Sequence, residues 1–159
     1  MNSMQAVDRS MVDDLLAEAA RAPRQRKNLN FHRQLDHPCQ RLLNAILPGS
    51  YVRPHRHLAD NKAEFMIVVR GCLGLLFYDA GGAITDRLKL EESGPIQAVN
   101  IPAGQFHTVI ALKPTVIFET KAGPYEPLSP EELAPFAPAE GSPEAQQFLR
   151  QMEAAFAQP

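Results

Sequence analysis

The sequence has few of the features that mark membrane-spanning, secreted or redox proteins. Only two cysteines, Cys39 and Cys72, occur among 159 residues; they fit free thiols in a reducing compartment, and we interpret them as small hydrophobic residues rather than redox groups. No apolar run approaches the roughly 18 residues of a membrane span. The N-terminus lacks the basic stretch and apolar segment of a signal peptide. These absences predict a cytoplasmic protein with no membrane partner.

Charge of one sign is not concentrated anywhere in the chain. Sixteen basic residues face 18 acidic ones, which gives a net charge of −2, and no block of like charge occurs. Nucleic acid is therefore not an expected partner. The length predicts a single domain with one core, large enough to bury about 70% of the surface of its unfolded chain.

What the sequence does contain is a cluster of metal-ligand residues in two separated segments. The first segment reads Gly49-x5-His55-x-His57-x6-Glu64-x6-Gly71. Residues two apart on a strand leave the same face, so His55 and His57 can grip one ion, whereas on a helix they would diverge by about 200°. Pro54 excludes a helix interior at this point. We therefore expect this histidine pair to lie on an extended segment.

The second segment is Pro102-x-Gly104-x2-His107. His107 follows a turn and precedes a β-branched run, so it is expected at the start of another strand. By contrast, we interpret His32 and His37 as ordinary histidines rather than ligands.

Together, the two segments resemble the two sequence motifs of the cupin superfamily. The resemblance implies an all-β fold, the cupin double-stranded β-helix or jelly-roll barrel, with His55, His57, Glu64 and His107 as metal ligands. Two departures stand out: six residues separate His57 from Glu64 where cupins have three or four, and Ala111 stands where the second motif often has Asn. The longer spacing predicts a loop over residues 58–63 that reaches across the site.

Within the cupins, the chain is most similar to the WbuC family of cupin-fold metalloproteins, whose members lie in bacterial gene clusters for O-antigen and related surface polysaccharides. The similarity covers residues 24–150. It is carried by five segments, at residues 28–32, 40–45, 50–57, 119–125 and 137–141. It implies a fold and a metal more than a reaction.

Periodicity and turn signals predict the organisation around this barrel. An apolar stripe predicts a helix over residues 11–21, capped by Ser10, and Ser142 followed by Pro143 predicts a second helix over 143–156. Short strands are predicted between them, over residues 41–47, 50–57, 64–70, 72–79, 83–89, 99–101, 107–112 and 116–121. We divide the chain into an N-terminal helical arm (1–30), the barrel (31–128) and a proline-rich segment with the C-terminal helix (129–159).

The ligand set indicates which metal and which chemistry to expect. Imidazoles with one carboxylate suit a divalent transition metal, namely Fe, Zn, Ni, Mn or Co, rather than Ca or Mg. Four protein ligands in an octahedral sphere leave two positions for water or a substrate. No catalytic residue is predicted; Tyr51, Lys62 and Glu119 are the candidates for proton transfer.

Strand parity extends the prediction to a substrate. Tyr51 and Arg53 share the face of the histidine pair, and Gln105 lies two residues before His107. These three are the predicted substrate-binding residues, with Arg53 as anchor for a carboxylate or phosphate. The alternative for Arg53 is that it extends to the barrel mouth or pairs with an acidic neighbour. Glu119 and Lys121 also share a face, which a simple cross-strand ion pair would explain.

Three functions fit this sequence. The first is a small-molecule metalloenzyme of isomerase or oxygenase type, acting on an anionic or sugar-related molecule in surface-polysaccharide metabolism. The second is a non-catalytic cupin that binds or senses a saccharide or a small acid, and the third is a structural cupin whose metal only stabilises the barrel. Unpaired strand edges and the N-terminal arm favour a homodimer, since cupins are often dimeric.

Overall fold

The computed structural model describes residues 4–157. Antiparallel strands dominate, with one helix before them and one after. The elements are α1 (Arg9–Arg21), β1 (Arg26–Asn30), β2 (Cys39–Ile46), β3 (Glu64–Arg70), β4 (Cys72–Tyr78), β5 (Ile84–Glu91), β6 (Ala98–Ile101), β7 (Phe106–Ala111), β8 (Thr115–Ala122) and α2 (Ala145–Ala154).

The strands form two sheets that face each other. The larger sheet has the order β1-β2-β8-β3-β6, and the smaller has the order β5-β4-β7. Every strand pair is antiparallel. The predicted all-β jelly roll of two sheets is confirmed, and so is its flanking by two helices.

The core between the sheets follows from alternation along the strands. On β3, Met66 and Val68 point inward and are 4% and 5% exposed, whereas Phe65 and Ile67 between them point outward and are 39% and 38% exposed. The smaller sheet contributes Leu73 and Leu75, which are fully buried. Burying these apolar side chains is the main stabilising term of the fold.

Helix α1 packs on the outer face of the larger sheet. Its apolar stripe, with Val12 and Leu15, contacts Leu43 and Val116. The helix begins at Arg9, and the Asp8 carboxylate accepts a hydrogen bond from the Met11 amide at 2.9 Å. The predicted cap at Ser10 is thus wrong, because the aspartate two residues earlier already caps the first turn.

Helix α2 packs on the outer face of the smaller sheet, where Leu149 and Met152 join a cluster with Leu76 and Ile110. It begins at Ala145 rather than at residue 143, and Glu144 at its N-cap makes no side-chain cap bond. The predicted Ser142 cap is therefore wrong. At 13 and 10 residues, α1 and α2 are both too short to cross a membrane.

Two other differences concern the predicted strands. Residues 50–57 form no continuous strand, and only His55 pairs, in isolated bridges with His107 and Leu133. Strand β1 was not predicted; it lies within the range assigned to the N-terminal arm and pairs with β2 along its whole length. The three-part division of the chain stays a prediction.

Candidate metal centre

The two motif segments meet where the histidine segment crosses the start of β7. The His55 amide donates to the His107 carbonyl at 3.0 Å, and the His107 amide donates to the His55 carbonyl at 2.9 Å. This pair of backbone bonds places the two imidazole centroids 4.8 Å apart. The His57 centroid lies 5.4 Å from His55 and 6.3 Å from His107.

Glu64 connects the histidines. It is the first residue of β3, points inward, and is 2% exposed. Its Oε1 lies 3.0 Å from His57 Nε2, and its Oε2 lies 2.9 Å from His107 Nε2. The potential ligand atoms of His55, His57 and Glu64 all lie within 4.8 Å of one another, and His107 joins this group through its contact with Glu64.

Backbone carbonyls fix the orientation of two of the rings. His55 Nδ1 lies 3.0 Å from the Arg53 carbonyl, and His107 Nδ1 lies 2.9 Å from the Gln105 carbonyl. A carbonyl only accepts, so Nδ1 carries the proton in both rings. In the neutral imidazoles, Nε2 is then a bare lone pair, which is the arrangement that metal-ligating histidines usually have.

The carboxylate of Glu64 is held in its ionised form. Burial alone would raise the pKa of Glu64, but the close contacts with His107 and His57 and the charge of Lys121 outweigh it and hold the pKa well below its usual range. For His55, burial in this site, with the charge of His107 as a second cause, lowers the pKa to about 3. The neutral imidazole and the ionised carboxylate are the forms that bind metals.

The contact between His107 Nε2 and Glu64 tests whether these residues fit a metal. A bare nitrogen and an ionised oxygen are both acceptors, and at 2.9 Å they repel unless positive charge lies between or beside them. Either a second proton on the imidazole or a metal cation supplies that charge. Neighbouring ligands around an ion with bonds of about 2.1 Å lie about 3 Å apart, as both histidine–glutamate pairs do here. The donor set therefore fits a divalent transition metal.

A buried ion pair supports the carboxylate from β8. Lys121 Nζ lies 2.7 Å from Glu64 Oε1 and 3.2 Å from Glu119 Oε1. Burial lowers the pKa of Lys121, but the negative charges of Glu119 and Glu64 outweigh this and raise it above its usual value. Burial, helped by the charge of Glu64, raises the pKa of Glu119. Lys121 is thus the charged partner that lets a carboxylate stay ionised in the barrel.

A cavity of about 200 Å³ opens beside the histidines. It is lined by His55 and His57, by Ala59 and Lys62 of the 58–63 loop, and by Lys121 among other residues. Glu132 holds this loop in place, because its carboxylate accepts a hydrogen bond from the Leu58 amide at 3.0 Å. The loop lies at the cavity, as its length suggested.

The three predicted substrate residues lie elsewhere. The Tyr51 hydroxyl donates to the Pro138 carbonyl at 2.8 Å, Arg53 Nη2 donates to the Ala134 carbonyl at 3.0 Å, and Gln105 Nε2 donates to the Tyr78 carbonyl at 3.0 Å. None of the three lines the cavity beside the histidines. The parity argument required a continuous strand over residues 50–57, and the structure has only the bridge at His55. Tyr51 and Arg53 instead secure the C-terminal segment to the barrel.

Sequence reasoning gave Lys121 no role at the carboxylate. Lys121 reaches Glu64 because the register of β3 and β8 pairs the two residues. A single sequence does not reveal this register. The remaining histidines, His32 and His37, contact backbone atoms of Arg41 and Cys39 through Nδ1.

The chain matches one family model and is similar in fold to several solved structures. A family model described as "Domain of unknown function (DUF6016)" matches residues 7–90. No protein with a curated description matches the sequence.

Solved structures give the fold. Salicylate 1,2-dioxygenase from Pseudoaminobacter salicylatoxidans superposes with a TM-score of 0.57 at 11% identity, over 74% of this chain and 33% of that one. The conserved SPY1581 protein of Streptococcus pyogenes superposes with a TM-score of 0.53 at 10% identity, over 79% and 93%. A cupin superfamily protein from Desulfitobacterium hafniense is similar with a TM-score of 0.48 at 12% identity, over 61% and 76%. At these identities the likeness to the two structures with the higher TM-scores concerns the fold alone.

Proposed function

The chain belongs to the DUF6016 family, whose model spans residues 7–90, and we propose that it is a metal-binding cupin. One divalent transition metal, Fe, Zn, Ni or Mn, is held by His55, His57, Glu64 and His107. The observation that carries this proposal is the buried Glu64 carboxylate, which contacts Nε2 of two histidines at 3.0 and 2.9 Å. When bound, the ion would supply a Lewis acid with open coordination positions.

The cavity beside His55 and His57 is the proposed site for a small molecule that reaches the metal. At about 200 Å³ it accepts a small acid or a single sugar-sized group. Lys62 and Lys121 line it. We propose that these lysines, rather than Arg53, balance the charge of an anionic ligand. Nucleic acid and membrane are not proposed partners.

The sugar-related part of the proposal rests on sequence resemblance. The similarity to the WbuC family supports a role in surface-polysaccharide metabolism, within the cytoplasm. A small carboxylate, a sugar acid or a sugar phosphate would satisfy both the cationic side chains and a metal with open positions.

A non-catalytic binding or sensing cupin is the second candidate, and one observation favours it. Of the three side chains that the sequence offered for proton transfer, Tyr51 donates to the Pro138 carbonyl and Glu119 contacts Lys121. Of these three, Lys62 alone lines the cavity, and its Nζ donates to the Pro124 carbonyl. Among the three, Lys62 is therefore the side chain to test in an isomerase or oxygenase. A change of ligand into product in the presence of the metal, lost in Lys62→Met, would favour the enzyme.

Metal analysis of tag-free protein tests the central proposal. We expect one transition metal per chain in the wild type and loss of most of it in His57→Gln. His37→Gln is the matched control, since His37 is a half-buried histidine whose Nδ1 contacts only the Cys39 backbone. The proposal would be contradicted if the wild type contained much less than one metal per chain and took up no added metal. Equal metal content in the two variants would also contradict it.

We also propose a homodimer. The outer face of β3 exposes Phe65, Ile67 and Val69, at 39%, 38% and 36%, beside the terminal strand β6. Apolar side chains next to an unpaired strand edge favour association. Light scattering would report twice the chain mass, and Ile67→Lys should return the monomer.

A further inference from the structure

A second cavity, of about 720 Å³, lies on the outer face of the larger sheet. Neighbouring residues of a strand face opposite sides, so Arg41 on β2 points away from Gln40, which lines the cavity of the metal centre. No residue lines both cavities. The outer cavity is therefore separate from the proposed metal centre.

Two guanidinium groups without a carboxylate partner face this cavity. Arg33 and Arg41 line it, and no aspartate or glutamate does. Within residues 4–157, neither arginine takes part in an ion pair. Nε of Arg41 is buried and has no hydrogen-bond partner. A buried charged donor without an acceptor is costly, so an anion that accepts from Arg41 would be stabilised at this site.

Two histidines add further nitrogens to the same wall. Nδ1 of His32 lies 3.1 Å from both the amide nitrogen and the carbonyl oxygen of Arg41. Nδ1 of His37 lies 2.9 Å from the Cys39 carbonyl oxygen and 3.1 Å from the Cys39 amide nitrogen. Each Nδ1 thus lies against both a backbone amide and a carbonyl. In the tautomer in which the amide donates to Nδ1, Nε2 carries the proton and can donate to an anion. The cavity thus presents two forked guanidinium donors and two ring nitrogens.

The cavity also has apolar lining residues. Phe31, at the end of β1, and Phe118, on β8, are both half-buried and line the cavity. Neither ring is needed to hold an inorganic ion. Their presence beside the arginines indicates a ligand with one charged end and one apolar end.

We propose that this outer cavity binds an oxyanion, a phosphate or carboxylate, carried by an apolar or aromatic group. Guanidinium forks match the geometry of both anions with two parallel hydrogen bonds. The phenyl rings of Phe31 and Phe118 contact the carrier group. The site is independent of the metal centre and of the proposed function.

Calorimetric titration of metal-loaded protein at constant ionic strength tests this, with phenyl phosphate, benzoate and inorganic phosphate as probes. We expect phenyl phosphate or benzoate to bind more tightly than inorganic phosphate. Replacing a charge-assisted donor by Arg41→Gln or Arg33→Gln should weaken binding roughly tenfold or more. Arg150→Gln, which removes an exposed arginine of α2, is the matched control and should leave the affinity unchanged.

Two variants show where the probe binds and whether a loss of binding reflects unfolding. His57→Gln removes a metal ligand, so unchanged binding of phenyl phosphate in that variant places the probe in the outer cavity. Arg33 is exposed, so Arg33→Gln should keep the fold even if Arg41→Gln disturbs β2. The proposal is overturned if the wild type binds neither organic probe, or if Arg33→Gln binds them as tightly as the wild type.

Discussion

The two ends of the space between the sheets differ in how their buried groups are stabilised. On β3, the inward residues change from the carboxylate of Glu64 to Met66 and Val68, and on β8 they change from Lys121 and Glu119 to Ile117. One end is a close-packed apolar core. The other is a network of charges that depends on protons and, as proposed, on a metal.

This difference separates stability from function within the same strands. Apolar burial stabilises the barrel in any buffer. The polar end contributes little net stability, because the cost of desolvating its charges offsets their attraction. What the polar end provides is a set of fixed imidazole and carboxylate groups for the proposed metal. Substitutions at the two ends should therefore have different consequences.

The largest loss of stability is expected at the apolar end. Leu75→Ala on β4 leaves a cavity around a fully buried position and should lower the free energy of unfolding by about 2 to 5 kcal/mol. Metal content should not change. Denaturant unfolding with metal analysis of the same sample measures both, and loss of metal in a folded Leu75→Ala protein would break the comparison.

Of the two ends, acid should act on the polar one, because the apolar side chains do not titrate. In metal-free protein, the folded-state pKa of His55 is lowered to about 3 from 6.5, so between these values the unfolded chain binds more protons and stability falls as the pH falls. The lowered pKa of Glu64 adds a second loss of stability. This loss begins as the pH falls to the pKa of an unfolded glutamate and continues at lower pH. Glu119, whose raised pKa has the opposite effect, offsets part of this loss. We expect the net stability to fall.

Thermal unfolding of chelator-treated protein between pH 7 and pH 4 checks this acid effect. His55→Leu should flatten the part of the curve above pH 5. A stability that does not change over this range would contradict the assignment of neutral His55.

Glu64→Gln should affect metal and stability together. The amide keeps the shape but removes the charge that faces Lys121 and two histidines, so metal should be lost and the metal-free protein destabilised by about 1 to 3 kcal/mol. Glu119 still contacts Lys121 at 3.2 Å and limits the cost. Glu91→Gln, at a glutamate that pairs with Lys113 at 3.2 Å on the surface, is the control and should keep its metal. Full metal content in Glu64→Gln would be the contrary result.

Tyr51→Phe should give the smallest change. It removes the hydroxyl that donates to the Pro138 carbonyl at 2.8 Å, which is worth about 1 kcal/mol. Because Tyr51 lies outside the cavity, metal and small-molecule binding should be unaffected. A large loss of ligand affinity in this variant would return Tyr51 to the binding site.

The fold could be predicted from spacing and alternation along the chain. A glutamate before an apolar strand and a histidine after a Pro-x-Gly turn are local patterns, and Glu64 and His107 lie at the start of β3 and β7 as these patterns predicted. The histidine pair lies on a segment with one bridge residue rather than on the predicted strand, and the ligand set stays a prediction. Alternation also predicted the inward residues of β3. These predictions depend only on neighbours along the chain.

What failed depended on contacts between distant segments. Whether residues 50–57 pair as a strand is decided by the C-terminal segment. That segment forms backbone hydrogen bonds with Pro54 and Arg56, and its Ala134 carbonyl accepts a hydrogen bond from Arg53. The role of Lys121 depends on the register between β3 and β8. Neither is encoded in a short motif, so the side chains around the ligands could not be assigned from the sequence.

Anomalous diffraction from crystals of protein purified without a metal-affinity column tests the central claim most directly. We predict one peak at the transition-metal edge, with bonds of about 2.0 to 2.2 Å to nitrogens of His55, His57 and His107 and to a Glu64 oxygen. A peak bound by other residues, or no peak after soaking with Zn²⁺, Mn²⁺, Ni²⁺ and Fe²⁺ while His107 stays bonded to Glu64, would contradict it.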